Sequence, residues 1–246
     1  MKTTKRILIL SFLLFSLFTL TACGVFVTRG SGRMESEVRE VSGFDNIVIE
    51  GFGNVIITQG EDEYLEIEAE DNILPYINTR VSGSTLHIEY DDRGWRRSIV
   101  PTRTITFDIG VIDLEGIDLS GAADVEIASL ETTSLDLNVS GAGNIEIDEL
   151  QAKDLNVEYS GAGRCYLAGE VTDQDVRVSG LGSYDAEDLK SQTADIKLSG
   201  AGDVKMWAED ALHIEVSGAG NVEYWGEPRV TQDISGVGNI QSRGSK

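Results

Sequence analysis

The chain has 246 residues and is strongly acidic, with 42 Asp and Glu against 20 Lys and Arg and a formal net charge of −22. A surface of this charge repels nucleic acid and anionic lipid headgroups, which argues against both as partners. The length is sufficient for a packed core in one or two domains.

The N-terminus has the pattern of an export signal. Residues 2–6 carry three positive charges, and residues 7–20 form an uncharged, mostly apolar run of 14 residues. That run is short for a bilayer span and is typical of a signal-peptide core. We therefore assign residues 1–22 to a signal peptide.

The end of that signal resembles the bacterial lipobox. The sequence Leu-Thr-Ala-Cys-Gly at residues 20–24 has a branched residue, two small residues and then Cys23. The resemblance implies lipid on the Cys23 thiol and cleavage before it, so that the membrane becomes a partner through this acyl anchor. Cys165 would then have no cysteine with which to form a disulfide. An ordinary secretory signal that happens to contain a cysteine is the alternative.

The next part of the chain is predicted to be irregular and then β-rich. Residues 23–42 are rich in Gly, Ser and charge, which predicts a tether. Residues 43–110 contain strand patterns without a regular repeat. Within them, residues 50–57 are an early copy of the later motif with Glu50 in its serine position, residues 80–88 form a predicted hairpin, and residues 91–101 form a charged loop.

From residue 111 to residue 246 the chain repeats with a period near 20 residues. Each copy centres on a Ser-Gly-Ala-Gly-like stretch, and the serines stand at positions 120, 140, 160, 179, 199, 217 and 235. On both sides of this stretch apolar and polar residues alternate, which is the pattern of strands with one buried face. A fixed period of this length is typical of a repeat architecture.

The same corner recurs at the same phase, which favours a parallel β-helix over an antiparallel sandwich. Each turn of chain would lie over the previous one, about 4.8 Å away. Glycines suit such corners because of unusual backbone angles and the close approach of stacked chains. In the last rung the inward positions hold Gln232 and Ser242, which predicts a polar C-terminal cap. The predicted fold is all-β, a solenoid of about 20-residue rungs with a non-repeating β-rich N-terminal portion.

This pattern resembles the putative auto-transporter adhesin, head GIN domain family. The resemblance rests on Phe44-Asp45-Asn46-Ile47 with residues 51–55, on the segment at residues 71–77, and on the Ser-Gly-Ala-Gly ladder, and it spans roughly residues 42–240. It implies an all-β, partly β-helical, bacterial and surface-associated protein. No translocator barrel follows before Lys246, so the lipobox supplies the expected anchor.

Few residues suggest catalysis, and we predict no catalytic residue, no metal site and no cofactor. Neither of the two histidines has a neighbour at metal-ligand spacing. Cys165 falls in an inward column, where a buried core thiol is expected. Seven equivalent serines predict a structural ladder, because a nucleophile needs one unique base.

The carboxylates leave an enzyme open as an alternative. Asp203 and Glu223 could face one groove, as in polysaccharide-active β-helix enzymes. However, the outward carboxylates are spread over every rung, as on a solvated face.

Three tryptophans are candidate ligand-binding residues. Trp207 and Trp225 each lie eight positions after their serine in consecutive rungs, and Trp95 lies in the charged loop beside two arginines. Outward aromatic rings are platforms for sugars or partner side chains. A tryptophan ladder that only covers one edge of the solenoid is the alternative.

Taken together, these patterns predict a lipid-anchored, extracytoplasmic protein of the cell envelope. The function they favour is a non-catalytic, adhesin-like binding module for a glycan or an envelope protein. A polysaccharide-active enzyme and a purely structural envelope protein remain as alternatives.

Overall fold

The computed structural model describes residues 26–91 and 97–246, and almost all of its regular structure is β-strand. One short 3₁₀ helix, η1, spans Leu74–Tyr76. The strands, in chain order, are β1 (Phe26–Arg29), β2 (Met34–Arg39), β3 (Asn46–Glu50), β4 (Phe52–Gln59), β5 (Tyr64–Glu70), β6 (Ile77–Ser82), β7 (Thr85–Tyr90), β8 (Arg97–Val100), β9 (Thr106–Val111), β10 (Gly116–Leu119), β11 (Ala122–Ile127), β12 (Leu130–Glu131), β13 (Ser134–Val139), β14 (Asn144–Tyr159), β15 (Arg164–Val178), β16 (Ser183–Leu198), β17 (Val204–Val216), β18 (Asn221–Trp225), β19 (Arg229–Ile234) and β20 (Asn239–Ser242).

The chain divides into two compact units. The smaller unit comprises residues 1–29 and 92–100, and its described part is the parallel pair of β1 and β8. The larger unit comprises residues 30–91 and 101–246 and holds every other strand. No helix in the described part of the chain is long and apolar enough to cross a membrane.

The repeats form the predicted solenoid of parallel strands. β13 pairs in parallel with β14, β14 with β15, and β15 with β16, with register shifts between Ile147 and Leu150 and between Tyr166 and Ala168, so that each repeat lies on the previous one. The inward residues of these rungs are buried, for example Leu137, Val157 and Val176. The parallel β-helix predicted from the period is therefore confirmed.

The N-terminal region also contributes rungs, in an order that the sequence does not reveal. β3 pairs in parallel with β10, which sets Glu50 opposite Ser120 as expected for the early copy of the motif. On its other side β3 pairs in parallel with β7, and β4 with β9. The rung made of β7 and β9 is thus the outermost at this end, although it follows β3 and β4 in the chain. β6 and β7 form the predicted hairpin, and β7 is at the same time a solenoid strand.

Antiparallel strands close this end of the solenoid. β5 pairs antiparallel with β9, and β2 pairs antiparallel with β5. The predicted tether over residues 23–42 differs from the structure at Met34–Arg39, which form β2. The side chains of β2 are mostly exposed, so its sequence lacks an apolar alternation, and its pairing with β5 makes it a strand.

The corner glycines are required by close backbone contact. A Cβ on Gly141 would lie 1.8 Å from the Gly121 carbonyl oxygen, and a Cβ on Gly200 would lie 2.0 Å from that of Gly180. Neither glycine has a positive φ. The expectation of unusual backbone angles is therefore wrong at these two corners, and the expectation of close approach is right.

Candidate functional site

Two of the predicted site residues belong to one surface patch. Trp207 and Trp225 are register partners on β17 and β18, and both are half-buried. Cys23 and Trp95 lie outside the described residues, so the structure adds nothing about the lipidation site or about Trp95. The predicted charged loop over residues 91–101 is wrong at Arg97–Val100, which form β8 through backbone pairing with β1.

Lysine side chains lie over both tryptophan rings. Lys246 Nζ is 5.7 Å from the ring centroid of Trp207 and 5.5 Å from that of Trp225, and Lys190 Nζ is 5.8 Å from the Trp207 ring. The Trp207 indole N–H also donates to Glu209 Oε1 at 2.9 Å. These cation–π contacts stabilise the patch within the chain, and a ligand that stacks on the same ring faces would displace Lys246.

A second candidate is a groove that runs across several rungs. We call it the aspartate groove and define it by two columns of outward residues, Asp154, Asp173 and Thr193 on one rim and Asn156, Asp175 and Asp195 on the other. Strand register stacks the members of each column. The groove continues past these columns to His213, Arg229 and Thr231 and has a volume of about 440 Å³. It brings together four carboxylates from three consecutive repeats.

The rims of the groove are only partly neutralised. Asp175 Oδ2 accepts from Arg177 at 3.0 Å, and the ammonium of Lys197 is 3.7 Å from Asp195 Oδ1. Within the described part of the chain, Asp175 Oδ1 is shielded from solvent but has no hydrogen-bond partner. A buried acceptor without a donor is costly, so a ligand hydroxyl that reached it would be bound favourably.

The floor of the groove is fixed by a buried hydrogen-bond chain. The Tyr184 hydroxyl donates to Gln174 Oε1 at 2.9 Å, and Gln174 Nε2 donates to Ser191 Oγ at 2.8 Å. Ser191 Oγ in turn donates to the Trp207 carbonyl oxygen at 2.8 Å. Burial raises the pKa of Tyr184 well above its ordinary value, so this donor stays protonated. This series of hydrogen bonds connects the groove floor to the backbone of Trp207 in the tryptophan patch.

The carboxylate pair considered for catalysis is bound to structural neighbours. Asp203 Oδ1 accepts from the Asn221 side chain at 2.8 Å, and Glu223 forms two hydrogen bonds with the Arg243 guanidinium. The Arg243 hydrogen bond holds the pKa of Glu223 below its ordinary value, whereas a general acid needs a raised one. The two carboxylates therefore act as links between rungs.

The other nucleophile candidates have structural environments. Cys165 is fully buried, and burial raises the pKa of its thiol to about 12, so it is unreactive in the folded protein. The corner serines form an exposed row of equivalent positions. No group of three or more His, Cys, Asp or Glu side chains in the described ranges could hold a metal ion.

Sequence reasoning missed the aspartate groove. It treated the outward carboxylates as evenly spread, because each rung carries some. The signal was present in the register of the repeats, since Asn156, Asp175 and Asp195 all stand four positions before their serine. The outward columns of the repeats, like the inward ones, therefore contain the signal for this groove.

Comparisons with known proteins agree with this architecture. The model of the family described as "Putative auto-transporter adhesin, head GIN domain" matches residues 43–228. A crystal structure described as a putative adhesin from Bacteroides fragilis is similar with a TM-score of 0.83 and 27% identity, covering 87% of this chain and 99% of that one. A search of curated proteins found no match.

Two further solved structures share the fold at lower identity. One, described as a putative lipid binding protein from Parabacteroides distasonis, has a TM-score of 0.74 and 21% identity over 88% of this chain and 99% of that one. The other, described as a putative adhesin from Parabacteroides merdae, has a TM-score of 0.69 and 21% identity over the same shares. The family and the Bacteroides fragilis structure are both described as putative adhesins, and these descriptions point to a non-enzymatic function.

Proposed function

The chain belongs to the putative auto-transporter adhesin, head GIN domain family, and from that premise we propose that it is a non-catalytic, extracytoplasmic binding module anchored by lipid on Cys23. The lipobox-like sequence at residues 20–24 supports the anchor. The adhesin descriptions of the family and of the Bacteroides fragilis neighbour support the binding role.

The single observation that carries the binding role is the aspartate groove. Its acceptors repeat along the solenoid at about the 4.8 Å spacing of stacked strands, on a floor held by buried hydrogen bonds. A regular row of carboxylate acceptors suits a ligand with a regular row of hydroxyl donors. The net charge of −22 disfavours acidic polymers. We therefore propose a neutral glycan as the ligand class.

A glycan-binding experiment on the chain from residue 24 onward tests this role. The double variant Asp175→Asn with Asp195→Asn should weaken binding about 10- to 100-fold, because charge-assisted hydrogen bonds are lost. The matched control, Asp118→Asn with Glu126→Gln, removes two exposed carboxylates outside the groove and should bind normally. No neutral glycan should be hydrolysed. Equal losses in both variants, or turnover that one carboxylate change abolishes, would contradict the proposal.

The tryptophan patch is the second place where a ligand could bind, because Trp207 and Trp225 are half-exposed rings on neighbouring strands. The double variant Trp207→Ala with Trp225→Ala separates it from the groove in the same assay. Loss of binding in this variant, with full binding by the groove variant, would assign the glycan to the tryptophans. If both variants bind normally, the undescribed Trp95 loop becomes the next region to change.

The anchor is tested independently of any ligand. Cys23→Ala should leave the protein soluble or unprocessed, whereas Cys165→Ala should leave membrane attachment unchanged. A mature-sized Cys23→Ala protein that still fractionates with membranes would show that the anchor is not lipid on this cysteine.

A further inference from the structure

The last rung of the solenoid has an open edge. β19 pairs with β17 and β20 pairs with β18, and within the described residues neither has a strand on its other side. All six residues of β19 are exposed. A strand with a free row of backbone donors and acceptors is a template for pairing with another strand.

This open end also exposes apolar residues beside the polar Gln232 of the cap. Val230 is 37% exposed and Ile234 43%. Val230 and Ile234 continue the inward columns of Leu212 and Val216, which are buried one rung earlier. The hydrophobic core therefore runs out to the surface here.

The register decides which backbone groups are free. In a parallel ladder both backbone groups of one residue point to the same neighbouring strand, and successive residues alternate. The Ser235 N–H donates to the Val216 carbonyl oxygen at 2.9 Å, so residues 229, 231 and 233 also point to β17. The N–H and C=O groups of Val230, Gln232 and Ile234 consequently point to the open edge.

We propose that a second copy of this chain docks on this edge, with the two β19 strands antiparallel and the two-fold axis at Thr231. That register pairs Val230 with Gln232 of the second copy through backbone hydrogen bonds. It places Arg229 of each copy opposite Asp233 of the other copy. These are non-hydrogen-bonded pairs, in which facing side chains come closest. The edge is thus self-complementary in charge. Arg229 and Thr231 also line the end of the aspartate groove, but the inference rests on the strand edge and not on glycan binding.

A charge-swap experiment tests the docking. The chain from residue 24 onward keeps every described residue and should dimerise in sedimentation equilibrium at about 100 µM protein, in salt that screens charges beyond roughly 8 Å. Asp233→Arg and Arg229→Asp each place like charges opposite each other, and each should weaken self-association about tenfold or more. An equimolar mixture of the two variants restores opposite charges at both contacts and should dimerise like the wild type.

A cysteine pair provides the geometric control. Thr231→Cys places two thiols at the two-fold axis and should form a disulfide-linked dimer under mild oxidation. Glu215→Cys, an exposed position one rung earlier, should not. A wild-type chain that is monomeric at about 100 µM, variants that dimerise undiminished, or a mixture that stays monomeric while both variants are folded by circular dichroism would each overturn the proposal.

Discussion

The two ends of the solenoid are finished in different ways. At the N-terminal end the rung of β7 and β9 is covered by antiparallel strands, and apolar residues beside η1 such as Ile73 and Ile77 are buried. At the C-terminal end β19 and β20 follow the repeat to its last copy and stay exposed. At the N-terminal end, strands that depart from the repeat cover the apolar columns of the core. At the C-terminal end, the repeat continues to its last strand and leaves an edge that only polar substitutions or a partner can protect.

A buried carboxylate stabilises the N-terminal end of the solenoid, which the antiparallel strands close. Glu70, at the end of β5, is fully buried and accepts hydrogen bonds from the Gly32 N–H at 2.6 Å and the Thr102 N–H at 2.8 Å. Burial alone raises the pKa of Glu70, but the hydrogen bonds from Thr102 and Gly32 outweigh it and bring the pKa below its ordinary value. The carboxylate thus ties β5 to two loops, and no comparable buried charge is found in β19 or β20.

The largest expected difference between interior and open end concerns two equivalent corners. A Cβ would lie 2.0 Å from a carbonyl oxygen at Gly200 and 2.1 Å at Gly236. Gly200→Val should lower the free energy of unfolding by about 4 kcal/mol or more, because its side chain would overlap the backbone of residues 179 and 180 between two interior rungs that cannot move apart freely. Gly236→Val should cost only about 1 kcal/mol, since the last rung can peel away. Urea unfolding measures both, and equal costs would show that the last rung is as tightly held as the interior.

Core truncation gives the next largest contrast. Phe107 in the closed end is 1% exposed, whereas Ile234 in the last rung is 43% exposed. Phe107→Ala should cost about 3–5 kcal/mol, through lost burial and a cavity. Ile234→Ala should cost less than about 1 kcal/mol. A large decrease in the free energy of unfolding for Ile234→Ala in the monomeric protein would contradict an open end, because it would mean that Ile234 is packed against other residues.

The pH dependence of stability distinguishes the buried Glu70 carboxylate from an exposed surface charge. Because the folded pKa of Glu70 is lowered, its stabilisation is present above the unfolded value, about 4.3, and is lost as the pH falls through the folded pKa. Glu70→Gln should therefore lower the melting temperature at pH 7 and make it fall less between pH 5 and pH 3, about the span of that transition. Glu68→Gln, an exposed neighbour on β5, should change neither.

The smallest expected effect concerns the rate at which maleimide labels the Cys165 thiol. The thiol of Cys165 lies in the closed interior with its pKa raised to about 12 by burial, so maleimide should not modify it in the folded chain. Labelling should appear only as the interior rungs unfold in urea. Fast labelling of the native chain from residue 24 onward, in which Cys165 is the one cysteine of the sequence, would show that the interior opens locally, as the last rung is expected to do.

The repeat determined most of the fold from sequence alone. Serines at a spacing near 20 residues and strict inward columns predicted the parallel solenoid, because stacked rungs place equivalent positions in contact. The burial of Cys165 follows from the same periodicity. The family resemblance rests in addition on residues 44–47, 51–55 and 71–77, which precede the repeats. The local sequence pattern is sufficient to predict the fold wherever each rung packs against another rung with the same pattern.

Tertiary structure alone decided how the ends are built and which outward side chains of different rungs come into contact. The pairing of β2 with β5 depends on backbone hydrogen bonds that leave no apolar signature, and β7 packs beside β3 although the order along the chain suggests otherwise. The aspartate groove and the lysines over Trp207 and Trp225 arise from outward side chains of different rungs. Outward residues are not constrained by the core, so their neighbours follow from register and from the path of the chain end.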